Sequence, residues 1–267
     1  MNQCAQLTAA SFWAPHLTTP AAWRQWAAGP ASSAEINETK ADAISVPPLL
    51  KRRLSPLGRA VAQATGCFAD ALTSEETALV FASRWGDVHT AVKELRSLVT
   101  TDQLSPTLFA TSVHNGIGAI LSIAHRHHGF ETAVAAGPFS LEAGFMSAVG
   151  LLTEYPRVLL CAYDAVSPSE FAEKDTFTHA CAFLLEAQRE TEDRDAFFEA
   201  WNRGPFLALA SSPRTEPLPD THRENLSGMA DLDVVRWLLH DDSPFLTRHD
   251  RHAEWTWAKN ARLTLPD

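Results

Sequence analysis

Three short, uninterrupted apolar runs constrain this chain most: Ala78–Ser83 (ALVFAS), Arg157–Asp164 (RVLLCAYD) and His179–Glu186 (HACAFLLE). Each has strand length and no polar alternation, the pattern of a strand covered on both faces. Helical periodicity occupies the gaps. Thr19-Pro20 and Ser55-Pro56 read as helix caps with proline in the first turn, ahead of helices over Pro20–Ala28 and Leu57–Ala71. Asp87–Val99 carries Val88, Ala91, Val92, Leu95 and Leu98 along one side, and Ser112–His128 reads as one apolar, glycine-bearing helix. Strands alternating with helices predict an α/β layered sheet. Gln6–Ala14 is a further apolar stretch, and Gly29–Ile44 a polar surface loop. Beyond Arg189 the pattern weakens. Glu190–Trp201 suits a helix, Phe206–Ala210 a short strand, Pro213–Glu224 a loop, Met229–His240 an amphipathic helix and Glu254–Ala258 an edge strand.

The passage Phe130–Tyr155 holds the candidate site. Glu131–Ala136 (ETAVAA) reads as a small-residue strand, Gly137-Pro138 turns it, and Phe139–Tyr155 continues as a helix. Acyl-transfer enzymes hold a Ser or Cys on such a turn, because the following helix N-terminus stabilises a developing anion. The apex here is Gly137, which has no side chain to attack anything.

Other constellations have plainer readings. His125-Arg126-His127-His128 sits at a helix end before Gly129, where cations suit the dipole and glycine stops the helix. It lacks the spacing of a zinc site, so no metal is expected. Ser140 follows the turn without G-x-S-x-G spacing, and reads as a small hydroxyl inside a buried helix. His114-Asn115-Gly116 either positions a substrate or starts a helix. Lys51-Arg52-Arg53 with Arg59 is either a solvated helix entrance or a dock for an acidic partner. The net charge of −10 disfavours nucleic acid and anionic membranes. No run reaches the length of a membrane span, the start lacks a basic signal region, and Cys4, Cys67, Cys161 and Cys181 are scattered. A reduced, cytoplasmic protein is expected.

Pro47–Arg59 (PPLLKRRLSPLGR), Ser105–Asn115 (SPTLFATSVHN), Thr132–Gly137 (TAVAAG) and Val158–Asp164 (VLLCAYD) occur in the order seen in the N-terminal half of β-ketoacyl synthases. The chain most resembles the short stand-alone proteins of that kind in bacterial polyketide and aryl polyene clusters, the chain length factors. Its tail, with Trp237-Leu-Leu and Trp255-Thr-Trp257, is similar to theirs as well. The resemblance covers most of residues 1–190. It implies a thiolase-like α/β/α fold around a five-stranded mixed sheet with an incomplete second half. Residues 1–190 would form the ketosynthase-like domain, and residues 191–267 an extension packed on it.

The resemblance also places the catalytic cysteine position at Gly137. It implies that the strand Thr132, Ala133, Val134, Ala135 and Ala136 pairs with a partner subunit across a two-fold axis. By the same analogy Val88, Ala91, Val92 and Leu95 lie at the end of an acyl channel. No His-Gly-Thr-Gly-Thr-like motif follows residue 190, and His222, His240, His249 and His252 stand in polar contexts. The implied partner is an active β-ketoacyl synthase in a heterodimer or heterotetramer, with acyl carrier protein reached through the complex and no cofactor. Two other readings stay open: an acyltransferase or decarboxylase using Ser140 or Ser112, and a homodimeric scaffold binding acyl carriers.

Overall fold

Strand-length apolar runs and capped helices assemble here around one mixed sheet. The computed structural model describes residues 3–29, 39–168, 177–187, 205–213, 230–249 and 253–265. The expected helix Glu190–Trp201, most of the loop Pro213–Glu224, His222 and His252 lie outside them. The strands are β1 (Gln3–Trp13), β2 (Thr77–Ala82), β3 (Glu131–Val134), β4 (Arg157–Asp164), β5 (His179–Glu186), β6 (Phe206–Pro213), β7 (Phe245–His249) and β8 (Ala253–Lys259). The helices are α1 (Pro20–Ala28), α2 (Pro48–Lys51), α3 (Pro56–Thr65), α4 (Ala69–Thr73), α5 (Val88–Thr101), α6 (Pro106–Ser112), α7 (Gly116–His125), α8 (Ser140–Leu151) and α9 (Ala230–Leu239). Both proline caps form as read: Thr19 Oγ1 accepts from Ala22 N at 3.2 Å, and Ser55 Oγ from Gly58 N at 3.1 Å.

The sheet runs β3-β2-β4-β5-β1-β6-β8-β7. Strand β2 pairs in parallel with β3 and β4, and the remaining pairs are antiparallel. Among the described residues eight strands replace the five expected, because β1 is long enough to serve two neighbours. Its Gln6–Trp13 portion pairs with β5, while Gln3–Gln6 pairs with β6 on the opposite side. The sheet then continues through β6 and β8, and β7 lies outside the strand expected to be the edge. A bulge at Thr8 shifts the β1–β5 register between Leu7 and Ala9.

Strand alternation divides the core in two. Ala78, Val80 and Ala82 of β2 share one apolar cluster with Trp23 of α1, Phe145 of α8 and Trp237 of α9. Leu79 and Phe81 share the other with Val61 of α3, Leu72 of α4 and Leu121 of α7. Burying each such Leu or Phe stabilises the fold by about 1.5–3 kcal/mol. This two-sided cover accounts for the unbroken apolar runs in β2, β4 and β5.

Two helix expectations require correction. Leu57–Ala71 is split into α3, a 3₁₀ turn over Gly66–Phe68, and α4. Ser112–His128 is not one helix: α6 starts earlier, Val113–Asn115 interrupts it, and α6 and α7 bend by 96°. Gly116 is needed at that corner, since a Cβ there would lie 2.5 Å from the Thr111 carbonyl oxygen. Among the described residues no single helix is long and apolar enough to cross a membrane.

Candidate functional site

Strand β3 ends at Val134, and the chain turns through Ala135–Phe139 into α8. Gly137 at the apex has φ +58°, and a Cβ built there meets no heavy atom within 4 Å. The turn therefore has the sharpness of a nucleophile elbow and open space above it. Ser140 is buried, and its hydroxyl is committed to holding the turn. Its Oγ accepts from Ala136 N at 3.0 Å and donates to the Gly137 carbonyl at 2.7 Å. Ser112 Oγ donates to the Phe109 carbonyl at 2.9 Å, within its own helix.

Charged side chains from distant segments converge on this turn, and none was singled out by sequence reasoning. Arg248 of β7 donates to Glu142 Oε1 at 2.5 Å and to the Pro138 carbonyl at 3.0 Å, and its guanidinium lies 5.1 Å from the Phe139 ring centroid. Trp257 Nε1 donates to the same Glu142 oxygen at 3.1 Å. Burial pushes the Glu142 carboxyl above its usual range, and Arg248 and Trp257 oppose that shift. Among the described residues the tail hairpin β7–β8 thus grips the elbow.

A small cleft of about 10 Å³ lies beside Gly137, with room for about one water; Arg84, Ser140, Asp164 and Asp231 are among its lining residues. Asp231, at the start of α9, accepts from His179 Nε2 at 2.7 Å, while His179 Nδ1 lies 2.9 Å from the Phe177 carbonyl. Both ring nitrogens face acceptors, so both must donate and the ring is an imidazolium. Burial alone would lower the His179 pKa; the Asp231 carboxylate outweighs it and raises the value to about 9. Asp164, at the end of β4, accepts from Ser83 Oγ at 2.8 Å and from the amides of Arg84 and Trp85 at 3.1 and 3.3 Å. Burial and the nearby Asp231 charge raise its pKa to about 6. Its position at a buried strand end was the one signal in the sequence that pointed here.

The other expected residues fall in two places. Thr132, Ala133 and Val134 are half-buried on β3, which pairs on one side with β2 and forms the end of the sheet; Ala135 and Ala136 are exposed. Val88 is buried at the start of α5, Ala91 and Val92 are half-buried, and Leu95 is 60% exposed. The apolar side of α5 is therefore covered at its start and open toward Leu95 and Leu98, and the helix is capped by Asp87, whose carboxylate accepts from Thr90 Oγ1 at 2.9 Å. Leu98 and Val99 of α5, Phe109 of α6, Val113, Ile123 of α7 and Phe130 beside β3 are also exposed. They lie on consecutive elements that touch one another, α5 on α6, α6 on α7 and α7 on β3.

The histidine run holds no metal cluster: among the described residues no three His, Cys, Asp or Glu side chains are placed to share an ion. His125 closes α7, Arg126 takes φ +54°, and His127 is buried while His128 is exposed. Arg52 and Arg53 are exposed beside α2, while Lys51 and Arg59 are half-buried, with Arg59 donating to the Lys51 carbonyl at 3.4 Å. All four cysteines are free, with Cys161 and Cys181 buried and Cys67 exposed.

The sequence matches the family model described as β-ketoacyl synthase, N-terminal domain, over residues 23–258. No curated protein matches it. Among solved structures, it is similar to a chain in the complex of a ketosynthase (ApeO) with its chain length factor (ApeC) from Xenorhabdus doucetiae. That likeness has 22% identity and a TM-score of 0.74, covering 95% of this chain and 98% of the other. It is similar to a chain of the AntDE:AntF complex, a type II polyketide synthase acyl-carrier protein with its ketosynthase bound to the hexaketide. The identity there is 10% and the TM-score 0.66, over 97% and 99% of the two chains. A third likeness is to the ishigamide ketosynthase/chain length factor, at 15% identity and TM-score 0.54, over 81% of this chain and 66% of the other.

Proposed function

This chain belongs to the β-ketoacyl synthase N-terminal domain family, and from that premise we propose that it is a non-catalytic chain length factor. In this reading it pairs with an active β-ketoacyl synthase in the cytoplasm and shapes the acyl channel for polyene- or fatty-acid-like polyketides. Gly137 carries the proposal. The position the family resemblance gives to the nucleophile has an elbow's backbone and open space, and no side chain. The free side of β3 and the exposed apolar surface of α5–α7 support a partner that covers both. The gate is Val88, Ala91, Val92 and Leu95, and a chain too long for it is rejected at ~1–3 kcal/mol per methylene-sized misfit. Acyl carrier protein is reached through the complex, no cofactor is required, and residues 191–267 belong to the same folding unit as 1–190.

Ser140 is a poor alternative nucleophile, because its hydroxyl already closes the turn on both sides. A homodimeric scaffold remains the second reading, since another copy also fits an open strand edge. Co-expression with an active ketosynthase and its carrier protein tests both. A stable complex whose product length depends on this chain supports the first. A homodimer that never exchanges with the synthase overturns it.

A further inference from the structure

The His114-Asn115-Gly116 motif has no part in the elbow, yet its histidine connects two segments the proposed function uses. His114 stands in the break between α6 and α7 and is half-buried. Its Nε2 donates to the Val134 carbonyl at 3.2 Å, and the same carbonyl accepts from Ser83 N at 3.1 Å. The Nδ1 edge of the ring faces Gly86, where an added Cβ would lie 2.9 Å from Nδ1. Gly86 immediately precedes Asp87, the cap of α5. One imidazole therefore touches the last residue of β3 and the loop that launches the gate helix.

That loop is built to transmit the contact. Ser83 Oγ accepts from Gly86 N at 2.8 Å and donates to Asp164 at 2.8 Å, and Asp164 also takes the Arg84 and Trp85 amides. On the next turn His89 Nε2 bonds the Val166 carbonyl at 2.7 Å. The far part of α5 is held separately, by α6 and by Glu94, which accepts from Ser105 N at 2.8 Å, so the first turn depends on this loop.

We infer that His114 is a positioning residue for the gate: its ring fixes the start of α5 against the end of β3, and so fixes how far the channel end stands from the partner-facing strand. This inference rests on reading α5 as the gate. A hydroxyl or carboxylate would not serve, because the site asks for a donor toward Val134 and a ring edge at Gly86 at once. Glutamine keeps a donor without the ring, and phenylalanine keeps the ring without a donor.

Hydrogen exchange and product analysis on the synthase complex of wild type, His114→Phe and His114→Gln test this. In His114→Phe the first-turn amides of α5 should exchange roughly tenfold faster, with the rest of the sheet unchanged. The share of off-length product should rise roughly threefold while the complex still forms, and His114→Gln should fall between it and wild type. Unchanged α5 exchange in His114→Phe overturns the inference, whether or not product is made. Faster exchange with an unaltered product distribution overturns the link to chain length. If a variant does not assemble, exchange on the isolated chain gives the same decision. A wild-type chain without influence on the synthase instead removes the functional reading and leaves the tie between α5 and β3 to be judged by exchange alone.

Discussion

Arg248 and Glu142 form an ion pair with a 2.5 Å contact, both side chains almost wholly buried, across a sequence separation of 106 residues. The pair joins the outermost strand of one sheet end to the first turn of the helix behind the elbow, and Arg248 also holds the Pro138 carbonyl.

Removing one partner leaves the other charge buried alone. Arg248→Met should destabilise the chain by about 3–5 kcal/mol, and Glu142→Gln by less because Trp257 still has an acceptor. The double variant should recover part of the loss. Urea unfolding of the three proteins measures this, and additive losses would mean that the pair is not coupled.

Gly137→Cys should gain a reactive thiol without gaining condensation. The site has space for the side chain, and φ +58° costs about 1–2 kcal/mol for a non-glycine residue. The α8 N-terminus lowers a thiol pKa there, whereas burial pushes the Cys161 and Cys181 thiols up. Intact mass after iodoacetamide should show one adduct more than wild type. Condensation by this variant alone would place working histidines in the chain after all.

The open edge of β3 is tested at Ala133. The Val134 carbonyl faces β2, where it meets Ser83 N, so alternation turns the Ala133 amide and carbonyl toward the free side. Ala133→Pro should abolish partner binding with little effect on the isolated fold, whereas Val134→Pro should damage the β2–β3 ladder itself. Gel filtration with the synthase, beside thermal unfolding of each variant, separates the outcomes.

Stability should fall on the alkaline side. The His179 pKa is near 6.5 unfolded and about 9 folded, so the native state holds the extra proton between those values. Its contribution is complete below pH 6.5 and is lost as pH rises to about 9, on the order of 3 kcal/mol. Asp164, raised to about 6, adds a separate decline between pH 3.8 and 6. Tm against pH should lose the upper slope in His179→Gln; an identical slope would assign it to another group.

Ala91→Trp probes the proposed gate. Ala91 is half-buried on a helix side whose Leu95 is mostly exposed, so the bulk can be accommodated without unfolding the chain. The product should shorten while the complex persists. Val88→Ala, at a buried position, should instead cost ~1–4 kcal/mol of stability and leave product length alone.

The sheet centre was legible because its residues need no knowledge of their neighbours. Runs such as Ala78–Ala82 are apolar on both faces, and Thr19-Pro20 and Ser55-Pro56 cap helices with groups two or three residues away. The break at Val113–Asn115 was hidden by the helical spacing of Val113, Ile117, Ile120 and Ala124, a pattern in which the exposed Val113 looks like core. Asp231 with His179, and Arg248 with Glu142, depend on pairings 52 and 106 residues apart that no local spacing records. Leu95 read as the inward side of α5 for the same reason: periodicity identifies a face and is silent on what covers it.

The bulge in β1 gives this strand two reading frames. Leu7 and Phe12 differ in parity, yet both belong to the cluster that contains Trp23 and Trp237, because Thr8 absorbs one step of the alternation. A chain lacking Thr8 would run in a single frame with every other side chain on its present face. One lacking Ala5 instead would turn the residues before it toward the wrong layer. The N-terminal strand can thus shed one particular residue and scarcely any other, which makes position 8 the place where length variants among descendants of this sequence are expected to collect.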